Sequence, residues 1–369
     1  MITDNVKPVN FKSPRRILGL NRDDLDFLTR SPIKFVEGNF ADYIWGGYHL
    51  YDMKDLPYDE NSRIAAESWE VSGHRKYPSR IRMPDGRVVL FMDLLKDRQI
   101  AYSILGNAVV ERFGQEFPIL VKFVDVHKHM STHLHPSHKM AAALGEQDPG
   151  KEEVFIVLDL HKGAESALYL GLKDGVTREA FEEAIIKEEN VLDLLHKIYV
   201  KPGDIYRIPS GIIHCWTGGS IAVEITESSD LTYRVYDFRR QRPIHIEKGL
   251  AAINYTSQQG SALEKQCRGA WRPLPHKGID SVTTYNSLKV ERLSAGLNGN
   301  SVEIRERNTF EVLMGIEGVI EITPLRGKWS VSLNKGSSLL VPAGAGDYRV
   351  RGLDKLSKNY ALRISMKIP

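Results

Sequence analysis

Residues 131–140 run STHLHPSHKM. His133, His135 and His138 lie within this stretch, Pro136 follows the second, and His127 and His129 stand just upstream. Five of the chain's 12 histidines thus share one short segment, which asks for a chemical reason. In an extended strand, residues two apart project to the same face. His133 and His135 would then point together, with Cα atoms about 7 Å apart along the strand. Two neutral imidazoles on one face are half of a common divalent metal site, which a carboxylate or a third imidazole completes. The same pair also suits an exposed polar sheet face, and taken alone it leaves both readings open. Pro136 is expected to end the strand and fix the next loop. His127, His129 and His138 read as turn or rim residues.

Working outward, short runs rich in β-branched and aromatic residues surround this segment. They include FPILVKFVDV (117–126), EVFIVLDL (153–160), SALYLGL (166–172), DIYRIPS (204–210), IAVEITE (221–227) and TYRVYDF (232–238). Such runs, bounded by Gly, Pro, Asn or Asp, predict strands, and their spacing predicts a sandwich or closed barrel. Two segments break the pattern. TREAFEEAIIKEENVLDLLHK (177–197) places Phe181, Ala184, Ile185, Leu192 and Leu195 on an apolar stripe behind a plausible Thr177 N-cap. Apolar residues also cluster over about 90–113. Both are expected to be helical inserts.

A second β unit is expected over the last hundred residues. LNKGSSLLVPAGAGDYRV (333–350) follows the same plan as KPGDIYRIPSGIIHCW (201–216): Lys, a Gly turn, an apolar strand, Pro, a second Gly turn. Only the first copy carries a histidine, His214. The expected organisation is residues 1–270 as the metal-bearing unit and 271–369 as a degenerate copy.

Composition narrows the function classes. Lys plus Arg is 50 against 47 for Asp plus Glu, a formal charge of +3, with no electrostatic case for nucleic acid or an anionic membrane. The first sixteen residues lack the apolar core of a secretion signal, and no run is long enough to span a bilayer. Two cysteines, Cys215 and Cys267, suit a reducing cytoplasm better than a disulfide scaffold. Cys215 points to the opposite strand face from His214 and is expected to be buried. Trp45 and Trp69 are expected to pack in the core or rim.

Further along, Glu153 opens an apolar strand after a Gly turn, and His214 follows a Pro–Gly turn. H-x-H, then Glu, then a later His after P-x-G resembles the metal pattern of the cupin superfamily. The resemblance is closer to the type I mannose-6-phosphate isomerases. YIWGGYHL (43–50), ESWEVSGH (67–74), FPILVKFVD (117–125), THLHPS (132–137), GKEE (150–153), VKPGDIYRIPSGIIH (200–214) and EITESSDLTYRVYDF (224–238) resemble that family's segments, in its order. The last is the most specific. The C-terminal unit agrees mainly in layout.

The resemblance implies a mainly β fold of two cupin-type barrels with helical inserts, the second degenerate. It implies metal ligands at His133, His135, Glu153 and His214, with His133 standing where the family has Gln. That replacement leaves the metal open: Zn first, with Mn, Fe or Ni as alternatives. Arg234, Lys151 and Asp230 are implied as catalytic, with Lys122 and Glu224 as further pocket residues. Thr232, Arg234 and Tyr236 are expected to share one strand face, and Lys151 is expected to have a depressed pKa. The implied activity is aldose–ketose isomerisation of a small sugar phosphate, mannose 6-phosphate to fructose 6-phosphate. Alternatives are a cupin isomerase of an unphosphorylated sugar and a non-catalytic sugar- or metal-binding cupin.

Overall fold

The computed structural model describes residues 18–257, 259–275, 278–282, 288–295, 301–354 and 358–368. The N-terminal stretch 1–17, expected to hold no leader core, lies outside them. The chain is mainly β, with several sheets and short helices. Among the described residues no helix is long and apolar enough to cross a membrane.

In chain order the strands are β1 (Ile33–Lys34), β2 (Phe40–Ala41), β3 (Glu67–Ser72), β4 (Arg80–Arg82) and β5 (Val88–Leu90). The site lies among β6 (Ile119–Val126), β7 (Thr132–Leu134), β8 (Glu153–Leu160), β9 (Ala167–Leu172) and β10 (Leu195–Tyr199). There follow β11 (Ile205–Ile208), β12 (His214–Trp216), β13 (Ser220–Glu227), β14 (Tyr233–Tyr236) and β15 (Arg268–Gly269). A seven-stranded sheet runs β15-β11-β8-β13-β6-β3-β2, and a five-stranded sheet runs β10-β9-β12-β7-β14. Val124, Phe155 and Ala222 of the larger sheet pack with Leu168, Leu170 and Trp216 of the smaller. The two sheets therefore close on a shared apolar layer, as the alternating strand sequences require.

Every residue of β6 is buried. Its other face explains why: Val121 and Phe123 join Val223 and Ile225 in a cluster with Phe91, Leu94, Ile104 and Val109, and with Val290, Val312 and Ile364 from the C-terminal strands. A strand covered on both sides reads as a continuous apolar run, which ILVKFVDV nearly is. Six C-terminal strands and β1 form a seven-stranded sheet, and four more C-terminal strands form another. β1 joins the former, with Ile33 paired to Leu340, so part of the N-terminal segment folds with the C-terminal sheets.

Of the two helical expectations, that for 90–113 holds and that for 177–197 needs correction. Residues 90–113 fold as three short helices, Phe91–Leu95, Arg98–Leu105 and Asn107–Phe113. Asp97 caps the second, and Gly106, at φ +92°, separates it from the third. In 177–197 the helix is Arg178–Ile186, capped by Thr177, and a 3-10 turn covers Val191–Leu194. Leu195–Tyr199 is strand β10, paired with β9. Leu192 and Leu195 are buried as expected, but sheet pairing satisfies the backbone that a longer helix would have satisfied internally.

Gly106 also meets the C-terminal unit: a Cβ there would lie 2.3 Å from the Asn308 carbonyl oxygen. Gly106→Ala is therefore expected to destabilise the fold by about 2–4 kcal/mol through left-handed strain and overpacking. Urea unfolding would show it as a lower midpoint with an unchanged slope.

Candidate metal centre

Strand register assembles the centre. β7 lies between β12 and β14, and His133 is the cross-strand partner of both His214 and Arg234. Directly opposed residues in antiparallel strands share a face, so two imidazoles and a guanidinium form one row across the smaller sheet. β7 ends at Leu134, and His135 follows in extended chain before Pro136. The ring centroids of His133 lie 5.3 Å from those of His135 and 4.3 Å from those of His214. The three offer ligand nitrogens within 4.8 Å of one another.

Each imidazole is oriented by its own backbone contact. Nδ1 of His133 donates to Ser131 O at 2.7 Å, that of His135 to Leu231 O at 2.8 Å, and that of His214 to Ile212 O at 3.0 Å. With Nδ1 acting as the donor, Nε2 keeps its lone pair, the tautomer a metal requires. Burial pushes His135 down to about 4 and His133 well below the ordinary histidine range, so both are neutral at neutral pH. From the facing sheet Glu153 places Oε1 2.9 Å from His135 Nε2 and Oε2 3.4 Å from His214 Nε2. Yet His135 Nε2, His214 Nε2 and Glu153 Oε2 are buried without hydrogen bonds among the described residues. Unsatisfied buried acceptors gathered at one point are costly unless a cation satisfies them. The donor set suits a divalent ion with nitrogen preference.

Beside this cluster lies a cavity of about 170 Å³ lined by all the implied catalytic residues and by Lys122 and Glu224. Lys151 Nζ sits 2.7 Å from Glu153 Oε1 and 3.6 Å from Glu224 Oε1. Its expected depression is overturned. Burial alone would lower its pKa, but the two carboxylates outweigh burial and the result is raised. Lys122 lies between Glu224 at 3.0 Å and Glu67 at 3.2 Å, and its pKa is likewise raised against burial. Burial pushes Glu224 up to about 7, opposed by Lys122. Asp230 goes the other way: burial opposes its charge, but Lys122 and Lys76 hold it below the ordinary range. Its oxygens meet Lys76 Nζ at 2.5 Å and the Tyr43 hydroxyl at 3.3 Å.

Arg234 is half-buried; Nη1 donates to Pro243 O at 2.7 Å while Nε has no hydrogen bond among the described residues. The Asp237 carboxylate that could have held it is instead taken by Arg240 and Arg242. Thr232 and Arg234 both line the cavity, but Tyr236 does not. A bulge between Arg234 and Tyr236 breaks the alternation, and Tyr236 packs with Phe238 on the outer cluster. Cys215 is buried on that same outer face, its thiol 3.3 Å from Met130 O. Trp69 is core, whereas Trp45 both packs and lines the cavity. His129 and His138 lie outside the cavity, as expected of rim residues.

The sequence did not single out Tyr43, Glu67, Lys76 or Arg242, which also line the cavity. Tyr43 and Glu67 fall inside the family-like segments, a signal that was present but unread. Lys76 and Arg242 sit in unpatterned loops, and only tertiary contact marks them. Gly150 has a packing role: a Cβ there would lie 2.3 Å from Pro136 O, so glycine lets the loop bearing Lys151 close on the backbone of Pro136 and Ser137.

Lys122 is 2% exposed and neutralises two buried acids. Lys122→Met is expected to cost about 3–5 kcal/mol because those acids lose their counter-charge. Adding Glu224→Leu should recover part of the loss. A double-mutant cycle by denaturant unfolding measures the coupling.

The description "Phosphomannose isomerase type I, catalytic domain" matches residues 34–154. The probable mannose-6-phosphate isomerase GmuF of Bacillus subtilis (strain 168) is 32% identical over 225 residues, spanning 59% of this chain and 67% of GmuF. Mannose-6-phosphate isomerase ManA of the same organism is 27% identical over 334 residues, 88% of this chain and 97% of ManA. The crystal structure of the mannose 6-phosphate isomerase from Bacillus subtilis superposes with a TM-score of 0.74 at 25% identity, covering 91% of this chain and 99% of that one. By sequence and by fold, this chain belongs to the type I phosphomannose isomerase family.

Proposed function

We propose that the protein is a metal-dependent aldose–ketose isomerase converting mannose 6-phosphate to fructose 6-phosphate. The carrying observation is the gathering of three backbone-oriented imidazoles and Glu153 at one pocket's edge, facing an Arg234 that among the described residues has no carboxylate partner. His133, His135, Glu153 and His214 would hold the ion, and nitrogen-rich donors with one carboxylate favour zinc. When bound, a zinc ion supplies Lewis acidity and a template for sugar oxygens.

The chain's own residues account for the proton movements. Asp230, kept ionised by Lys122 and Lys76, is the base that takes the C2 proton and returns it at C1. Lys151, flanked by Glu153 and Glu224, is an ammonium donor. It gives a proton to O1 as the enediol forms and recovers one from O2 as the ketose carbonyl collapses the other way. An acid and a base held in opposite charge states are what this transfer needs. Arg234 faces the row of imidazoles and stabilises the enediolate charge. Lys76 and Arg242, lining the same cavity, supply cationic donors for a phosphate that the sequence alone did not reveal.

The same reading takes each half's sheet pair as a cupin-type unit, the first over 1–270 and the second, without counterparts of the three candidate ligand histidines, over 271–369. Its partner is a small sugar phosphate. Both cysteines are free and buried, in keeping with a reducing cytoplasm.

Arg234→Ala is expected to keep its metal and lose kcat by about 100-fold or more, in a coupled assay with mannose 6-phosphate. Wild-type turnover in that variant would remove the catalytic assignment. His135→Ala should lose both metal and activity, and brisk turnover of free mannose with none of the phosphate ester would overturn the substrate.

A further inference from the structure

A second histidine cluster lies on the other face of the larger sheet. Along β6, Lys122 points into the pocket, and alternation sends Asp125 to the opposite side. Asp125 is fully buried. Its Oδ2 accepts from His49 N at 3.1 Å and lies 3.2 Å from His49 Nδ1, while Oδ1 is 2.9 Å from His161 Nε2. The latter pair is close but misaligned: Asp125 Oδ1 and His161 Nε2 are buried with no hydrogen bond among the described residues. His127, which the sequence placed on a rim, completes the group from its exposed position. His49, His127 and His161 offer ligand nitrogens within 4.8 Å of one another.

We infer that His49, His127 and His161, backed by Asp125, form a second zinc site separate from the pocket. Three imidazoles with a carboxylate behind them prefer a borderline divalent ion such as Zn²⁺ to Mg²⁺ or Ca²⁺, which need oxygen ligands. The Asp125 hydrogen bond to His49 is the carboxylate–histidine arrangement that orients metal ligands, and the same carboxylate lies 2.9 Å from His161 Nε2. Glycine makes the approach possible: a Cβ on Gly47 would lie 2.8 Å from both Asp125 Oδ2 and His127. His49 and His161 stack face to face, with centroids 3.7 Å apart and planes 12° from parallel. Imidazoles sharing one zinc bring their nitrogens to about 3.3 Å, so binding splays this stack and draws in His127. The site is thus one that fills at higher zinc than the pocket does.

Its consequence is mechanical. The three ligands come from the helix His49–Met53, the end of β6 and the end of β8. An ion there pins to the barrel the segment that carries Tyr43 and Trp45, two residues that line the pocket. The inference is independent of the isomerase assignment.

The test is calorimetric titration of the full-length protein with Zn²⁺, with bound zinc measured after gel filtration. The wild type should take up two equivalents, one tight and one weaker. His127→Ala, an exposed position, should keep the tight equivalent and isomerase turnover while the second weakens about tenfold or more. His135→Ala should lose the tight equivalent and keep the weaker. Excess Zn²⁺ should raise the thermal midpoint of the wild type and not that of His127→Ala. A single equivalent in the wild type, or a second one unmoved by both His127→Ala and His161→Ala, overturns the inference.

Discussion

The register of β7 between β12 and β14 is the constraint on which the rest depends. It sets His214, His133 and Arg234 side by side on one face of a sheet. A slip of β7 by one residue would send His133 to the outer face, where Leu134, Cys215 and Val235 now pack beneath the helix Arg178–Ile186. The apolar cluster on that outer face therefore does more than stabilise. It fixes which residues of three short strands face the cavity, because burying the wrong set would place imidazoles in a greasy layer without partners.

The facing sheet supplies charge. Glu67, Lys122, Glu224, Lys151 and Glu153 alternate in sign across neighbouring strands, so each buried ion has a counter-ion within reach. Such an array contributes less to stability than its contacts suggest, since desolvation opposes each charge. What it provides is charge held on Lys122, Lys151 and Glu153 beside the cavity, with Glu224 pushed up to about 7 among them. The C-terminal unit carries a comparable buried pairing of Arg307 and Arg363 with Glu311, but among the described residues no histidine beside it. That unit covers the outer face of the larger sheet and takes in β1, which ties the chain's beginning to its end.

Much of this was legible in the chain. Strand runs such as EVFIVLDL and the Thr177 cap speak through local propensity and pattern, and each falls where expected. The candidate ligands His133, His135, Glu153 and His214 stood out in the chain as H-x-H followed by a Glu and a later His, and the fold brings these four side chains together. The misses have physical causes. Residues 195–197 carry an apolar helical period, yet β9 offered them backbone partners and sheet pairing won. Tyr236 was misplaced by a bulge, an insertion of one residue into the pairing that no period-2 count detects. His127 was read as a rim residue because its neighbours His49 and His161 are remote in sequence.

The sequence by itself determined most of the strands, the helices near 91–113 and 178–186, the family, and the residue types able to bind an ion, since these follow from short-range periodicity and motif spacing. Only the tertiary structure decided the charge state of Lys151, the recruitment of Lys76 and Arg242, and the gathering of a second histidine group behind β6. Electrostatics and coordination depend on distances between atoms far apart along the chain, and those distances exist only once the sheets have closed.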